Sequence, residues 1–216
     1  MGKIDELVEG IQAYKYIDVH QVLANGKRTK WNRIPKTDLD KYRKLAIKGN
    51  AQHVFSTIQL FANKEHIEDE AYICPLYFDL DSDTDLEEAL VDARIIKDYF
   101  CVGFDSEEGI EYFFSGNRGF HITISSTLFG AAPASDLVKI WRHIAEEVSK
   151  MLSLKTFDRS VYTKRRMWRV ENTKHGKSDL WKIRLYPYEL ALSVDKIREL
   201  AVSPRIYEDI DDGGNS

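Results

Sequence analysis

The chain has 216 residues, 43% of them hydrophobic and 31% charged, with a net charge of −4 at neutral pH. That composition suits a soluble globular protein of one large domain or two small, closely packed subdomains. The lack of an apolar run of about 18 residues excludes a membrane-spanning helix. Two cysteines, Cys74 and Cys101, exclude a four-cysteine zinc module and read as reduced core thiols, and Met1–Glu6 lacks the layout of a secretion signal, so the expected location is cytoplasmic.

Asn25-Gly26 is a hairpin turn signal between Ile17–Ala24 and Lys27–Arg33. A helix follows, capped by Thr37 or Asp38, with Leu39, Tyr42, Leu45 and Ala46 inward and Gly49 as its stop. His53–Phe61 and Tyr72–Asp81 read as strands, Asp85–Phe100 as a helix, and Glu111–Phe114 and Phe120–Ser125 as further strands. After a break at Gly130–Pro133, Leu137, Ile140, Trp141, Ile144, Val148 and Met151 keep helical spacing behind a Ser135 cap. Met167–Val170 and Trp181–Leu185 are expected to pair around a His175-Gly176-Lys177 turn. A last helix, Val194–Ala201, precedes Pro204 and a frayed acidic tail, Glu208–Ser216. Alternating strands and helices with hairpins at both ends give an α/β or α+β class with mixed or antiparallel sheets.

Charge is segregated along the chain. Seven acids and no base lie between Asp79 and Asp92, whereas nine bases face three acids between Asp158 and Arg184. A mildly acidic protein with one basic segment is compatible with a polyanion groove, although a solvated face of salt-bridged strands gives the same pattern.

Three constellations carry chemistry. Asp79 and Asp81 end the apolar run Tyr72–Phe78, and strand alternation points both to one face. Such paired carboxylates repel unless a cation lies between them, and oxygen-only ligands suit Mg²⁺ or Mn²⁺. An EF-hand would need glycine and glutamate where Thr84 and Leu90 stand. The second constellation is Ser115-Gly116-Asn117-Arg118-Gly119-Phe120-His121, whose glycines admit a phosphate to the backbone and whose Arg and His bind its oxygens. The third is Phe157-Asp158 and the basic stretch through Arg169, in which Trp168 is expected in the core rather than against a base.

These segments, in this order, resemble the archaeo-eukaryotic primase superfamily, and Val161–Val170 with Lys174 is similar to primase-polymerases in particular. The resemblance spans roughly Gln52 to Leu200. It implies two apposed α/β units, an N-terminal part of about residues 1–75 and a part akin to an RNA-recognition fold of about 76–207, with the active site in the cleft between them and a flexible tail at 208–216. It implies template-directed nucleotidyl transfer that makes or extends DNA or RNA primers on single-stranded DNA and releases pyrophosphate. Two Mg²⁺ or Mn²⁺ ions would sit on Asp79, Asp81 and Asp158, with no structural zinc. Ser115, Gly116, Arg118, Gly119, His121, Arg166, Arg169 and Lys174 would bind the ribo- or deoxyribonucleoside triphosphate. The N-terminal fifty residues match the family poorly, though a basic hairpin there, Lys27, Arg28, Lys30 and Arg33, would suit template contact together with Lys164 and Arg165; a helicase or accessory domain is a further expected partner. The alternatives are a catalytically silent nucleic-acid-binding module, or a metal-dependent phosphatase or nuclease built on the Asp-x-Asp strand.

Overall fold

The computed structural model describes residues 11–49 and 51–205. In chain order its first half holds β1 (Tyr16–Leu23), β2 (Asn32–Pro35), α1 (Leu39–Ile47), β3 (Ala51–Thr57), β4 (Leu60–Phe61), β5 (Tyr72–Ile73), β6 (Leu76–Asp81) and α2 (Leu86–Phe104). There follow β7 (Ile110–Phe114), β8 (Gly119–Ile124), α3 (Leu137–Leu152), β9 (Met167–Arg169), β10 (Ile183–Leu185) and α4 (Val194–Leu200).

The strands form two sheets, and every strand pairing among the described residues is antiparallel. One runs β5-β4-β1-β3-β9, with β2 also on β1; the other runs β10-β7-β8-β6. The architecture is α+β.

In the second sheet, alternation sorts the side chains cleanly. Leu76, Phe78 and Leu80 of β6 and Phe120, Ile122 and Ile124 of β8 are buried on the face that α2 and α3 cover. Full burial of each such side chain contributes roughly 1.5–3 kcal/mol, which makes this layer the main anchor of the sheet. The opposite face carries Tyr77, Asp79, Asp81, Phe113, Gly119 and His121, and it is closed against the first sheet by Trp168 of β9. The charged residues thus lie between two layers and not on a solvated surface.

Several expected elements take a different form. The strand Tyr72–Asp81 is split at Pro75, which has no N–H to give to a ladder, and His53–Phe61 is split before Gln59. The helix expected to end at Phe100 continues to Phe104, where Asp105 in the left-handed region (φ 50°) closes it. Leu45, Ile140 and Met151 are exposed rather than inward, because the apolar stripes of α1 and α3 are narrower than their sequence spacing suggests. Neither Asp38 nor Ser135 caps through its side chain; Asp136 occupies the N-cap position of α3.

The largest departure concerns β9 and β10, which do not pair with each other. β9 joins β3 and β10 joins β7, so the basic segment straddles both sheets. The segments beyond them still meet around the expected turn, through a Lys174–Trp181 bridge and backbone hydrogen bonds from Asn172 N–H to the Lys182 carbonyl (2.8 Å), Lys182 N–H to the Thr173 carbonyl (3.0 Å) and His175 N–H to the Leu180 carbonyl (2.7 Å). The divergence follows from burial: Trp168 reaches the second sheet while Val170 packs with Val54 and Val19 in the first. The tail Glu208–Ser216 lies outside the described residues.

Candidate active site

β6 carries Asp79 and Asp81 out between the sheets, and a segment far along the chain comes alongside. The Asp81 N–H donates to the Thr156 carbonyl and the Asp158 N–H donates to the Asp79 carbonyl, each at 2.9 Å. Backbone pairing thereby brings Asp158 next to Asp79, whatever the side chains do. Asp79 is 4% exposed, and its Oδ1 is buried with no hydrogen-bond partner among the described residues. Its Oδ2 lies 3.3 Å from Arg166 Nη2. Burial, followed by the charge of Asp81, pushes the Asp79 carboxyl up to about 7, with Asp158 adding to the rise and Arg166 opposing it.

Opposite Asp79 in register stands His121, its Nε2 3.6 Å from Asp79 Oδ1. The imidazole stacks on Trp168, ring centroids 4.2 Å apart. Its Nδ1 lies 3.0 Å from Lys182 Nζ. Burial, with the charges of Lys182, Arg166 and Arg169, holds His121 well below its usual range, so the ring is neutral. An ammonium only donates; a charged Lys182 therefore fixes Nδ1 as acceptor and leaves the ring proton on Nε2, facing the carboxylates. Lys182 itself is 3% exposed, its Nζ over the rings of Phe113 (4.8 Å) and Trp168 (4.9 Å), and burial pulls its ammonium down to about 7. In the sequence Lys182 is one of the nine bases of the Asp158–Arg184 segment, with no motif that marks it as a site residue.

The glycine-containing loop forms one wall. Ser115 Oγ accepts the Gly119 N–H at 3.2 Å, and Gly116 adopts φ +86°. A Cβ on Gly119 would collide with the Leu80 carbonyl oxygen, so only glycine lets β8 pass Asp81 here. Arg118 is held by carboxylates: its Nη2 and Nε lie 3.0 and 3.2 Å from Asp81 Oδ2, and its Nη1 pairs with Asp83.

Asp79, Asp81, Ser115, Arg118, His121, Arg166 and Arg169 all line one pocket of about 300 Å³, which Phe55, His175 and Lys177 complete. Arg169 is positioned from behind, its Nη1 2.9 Å from His53 Nδ1 and donating to the Lys174 carbonyl at 2.6 Å. The remaining expected residues lie elsewhere. Lys174 pairs with Asp179 at 2.8 Å beside a neighbouring pocket. Lys164, paired with Asp69, and Arg165 line a separate pocket. Lys27, Arg28 and Lys30 are exposed on the β1–β2 connection. Arg33 is not available to a template: it is 6% exposed, bonded to Asp18 (2.8 Å) and Glu70 (2.7 Å) and laid 3.9 Å over Phe61.

Among the described residues no three His, Cys, Asp or Glu side chains are arranged as a ready metal cage. The reason is visible, since Arg118 holds Asp81 and Asp158 Oδ1 accepts the Ser160 N–H at 2.8 Å. The donor set nevertheless fits a hard divalent cation, because it is all oxygen and includes the unpartnered Asp79 Oδ1.

No protein-family model matches the sequence, and no curated protein does. Among solved structures, the polymerase domain of Mycobacterium tuberculosis ligase D in complex with DNA is 15% identical and covers 91% of this chain and 85% of its own, with a TM-score of 0.50. The fold is of the archaeo-eukaryotic primase type. Two further primase-type structures are more distant. The primase-polymerase domain of cyanophage S-2L is 10% identical over 87% of this chain and 95% of its own (TM-score 0.48). The primase RepB′ is 11% identical over 85% of this chain and 56% of its own (TM-score 0.44). In this primase-type fold the carboxylate strand β6 and its partner β8 are the elements that carry the site described above. No helix among the described residues is long and apolar enough to cross a membrane.

Proposed function

We propose that this chain is a template-directed nucleotidyltransferase of the primase-polymerase kind, acting on a nucleoside triphosphate and a nucleic-acid strand. The observation that carries the reading is the buried, unpartnered Asp79 Oδ1, flanked by Asp81 and Asp158 and facing His121, in a pocket that also holds Arg166 and Arg169. Asp79 and Asp81 line a basic pocket, with Asp158 paired to Asp79 through the backbone just outside its lining, and such acids weaken phosphate binding unless a cation joins them, so a pure binding module has no use for them. The ligase D polymerase domain was determined with DNA, which supports the same substrate class.

Asp79, Asp81 and Asp158 would hold Mg²⁺ or Mn²⁺. When bound, such ions acidify an attacking hydroxyl and stabilise charge on the reacting phosphate. The protein's own residues do the rest. Arg118 moves from Asp81 to the triphosphate, exchanging one anion for another. His121 donates its Nε2 proton to a phosphate oxygen, held in that tautomer by Lys182. Arg166 and Arg169 neutralise the remaining oxygens, and Trp168 fixes the imidazole plane.

A primed single-stranded template incubated with labelled nucleotides of both sugar types and Mg²⁺ or Mn²⁺ tests this. Strand lengthening with pyrophosphate release is the expected outcome. Orthophosphate release without lengthening would assign the site to a phosphatase instead.

A further inference from the structure

The half-buried part of one face of the first sheet carries a row of rings that the catalytic reading does not use. Register pairs Val19 with Asn32, His20 with Phe55 and Phe55 with Arg169, so Trp31, His20, Phe55 and Arg169 follow one another across adjacent strands. The Trp31 and His20 centroids are 5.1 Å apart with planes 32° from parallel; His20 and Phe55 are 6.4 Å apart at 23°. The Arg169 guanidinium lies 5.0 Å over the Phe55 ring. The row ends in the active-site pocket, which Phe55 and Arg169 line.

Two features separate this row from an ordinary cross-strand packing ladder. The first is exposure: Trp31 is 52% exposed, whereas Trp141, Trp168 and Trp181 are 2%, 6% and 7% exposed. An indole left in water at the outer end of a row contributes little to folding there, and it offers a face to a planar ligand. The second is charge. Lys27, Arg28 and Lys30, on the same connection as Trp31, are exposed and make no ion pair among the described residues. His20 donates from Nδ1 to the Thr29 carbonyl at 2.8 Å, which ties the ring plane to that basic connection. Rings tilted by no more than 32° from one to the next, beside cations without ion-pair partners and continuous with the basic pocket, match what an unpaired polynucleotide requires: stacking faces for bases and ammonium or guanidinium groups for its backbone.

We propose that Trp31, His20 and Phe55 form a base-stacking platform that leads a single-stranded nucleic acid into the pocket, with Lys27, Arg28 and Lys30 on its phosphates. The platform rests on the nucleotidyltransferase reading for its purpose but not for its existence, and the test keeps the two apart. Binding of the intact protein to labelled (dT)20, (rU)20 and a matching abasic oligonucleotide is measured by anisotropy without metal or nucleotide. Trp31→Ala and Phe55→Leu should each weaken binding to the base-bearing strands at least about fivefold, the lower end for one lost base stack, and leave binding to the abasic strand unchanged. The base-bearing strands should also protect Trp31, the one exposed indole of the four, from a collisional quencher. Lys30→Ala should lower the salt dependence of binding by about one counterion on all three strands. Equal affinity of wild type, Trp31→Ala and Phe55→Leu for (dT)20 and (rU)20 would overturn the platform even if strand extension is robust. Base-dependent binding with no extension would uphold the platform and remove the polymerase reading.

Discussion

Lys182 Nζ sits 3.0 Å from His121 Nδ1, on a side chain buried between the sheets. A buried ammonium without a hydrogen-bonded carboxylate lowers stability, and a methionine of similar length fills the same space. Lys182→Met should therefore fold at least as stably as wild type, with a melting temperature unchanged or raised by a few degrees. It should also lose catalytic efficiency through a higher KM for nucleotide, because His121 is freed to take the other tautomer. A lower melting temperature with unchanged KM would show a merely structural lysine.

The two perturbed groups pull stability in opposite directions with pH. Asp79, raised to about 7 from its ordinary carboxylate value, keeps its proton in the folded state where the unfolded chain has lost it. Stability from this group is full below about pH 4 and is lost as pH rises through 7. Lys182, lowered to about 7, binds fewer protons when folded between pH 7 and about 10, so stability rises across that window and is lost as pH falls through 7. Metal-free protein should thus be least stable near neutrality. Comparing melting curves of wild type, Asp79→Asn and Lys182→Met from pH 4 to 10 checks this. The Asp79→Asn advantage should grow between pH 4 and 7, and the Lys182→Met advantage should shrink above 7.

Arg33 and Lys30 lie three residues apart and should behave as opposites. Replacing Arg33 by Met leaves Asp18 and Glu70 buried without their partner, costing about 3–5 kcal/mol by the usual penalty for half a buried ion pair. Lys30→Ala, on the exposed connection, should change stability by less than about 0.5 kcal/mol. Chemical denaturation of both variants measures the contrast.

Gly119→Ala places a methyl group against the Leu80 carbonyl oxygen, at the strand crossing that sets Asp81. Overpacking of this kind costs about 1–3 kcal/mol or more, and here it pushes β8 away from β6. The variant should be both less stable and strongly impaired in catalysis, seen in a lower melting temperature together with a lower kcat. A neutral substitution would mean that β8 does not lie this close to Asp81.

What could be read from the chain depended on how local the determinant was. Asp79 and Asp81 share a face because strands alternate, and the Ser115–His121 wall lies on consecutive residues, so both were legible. Asp158 was reachable only through family resemblance, since its place beside Asp79 is set by backbone pairing between distant segments. Lys182 was hidden for a related reason. A strand lysine is ordinarily solvated, and its burial follows from β10 joining β7 instead of β9. Arg33 was misjudged because its partner is set by strand register: Asp18 of β1 stands directly opposite Arg33 of β2, although the connection itself pairs Val22 with Arg28, one residue out of step. An acid facing an arginine across a hairpin is a reason to expect pairing rather than a free basic surface.

The central claim is that Asp79 and Asp158 jointly bind the catalytic cation. The most direct measurement compares wild type with Asp79→Asn and Asp158→Asn in primer extension, alongside the shift in melting temperature produced by Mn²⁺. Ligand loss should reduce extension by at least about 100-fold, beyond the usual effect of disturbing a ligand's supporting partner, and should abolish the Mn²⁺ shift while the fold persists. Extension at the wild-type rate by either variant, or an undiminished Mn²⁺ shift in both, would contradict the account.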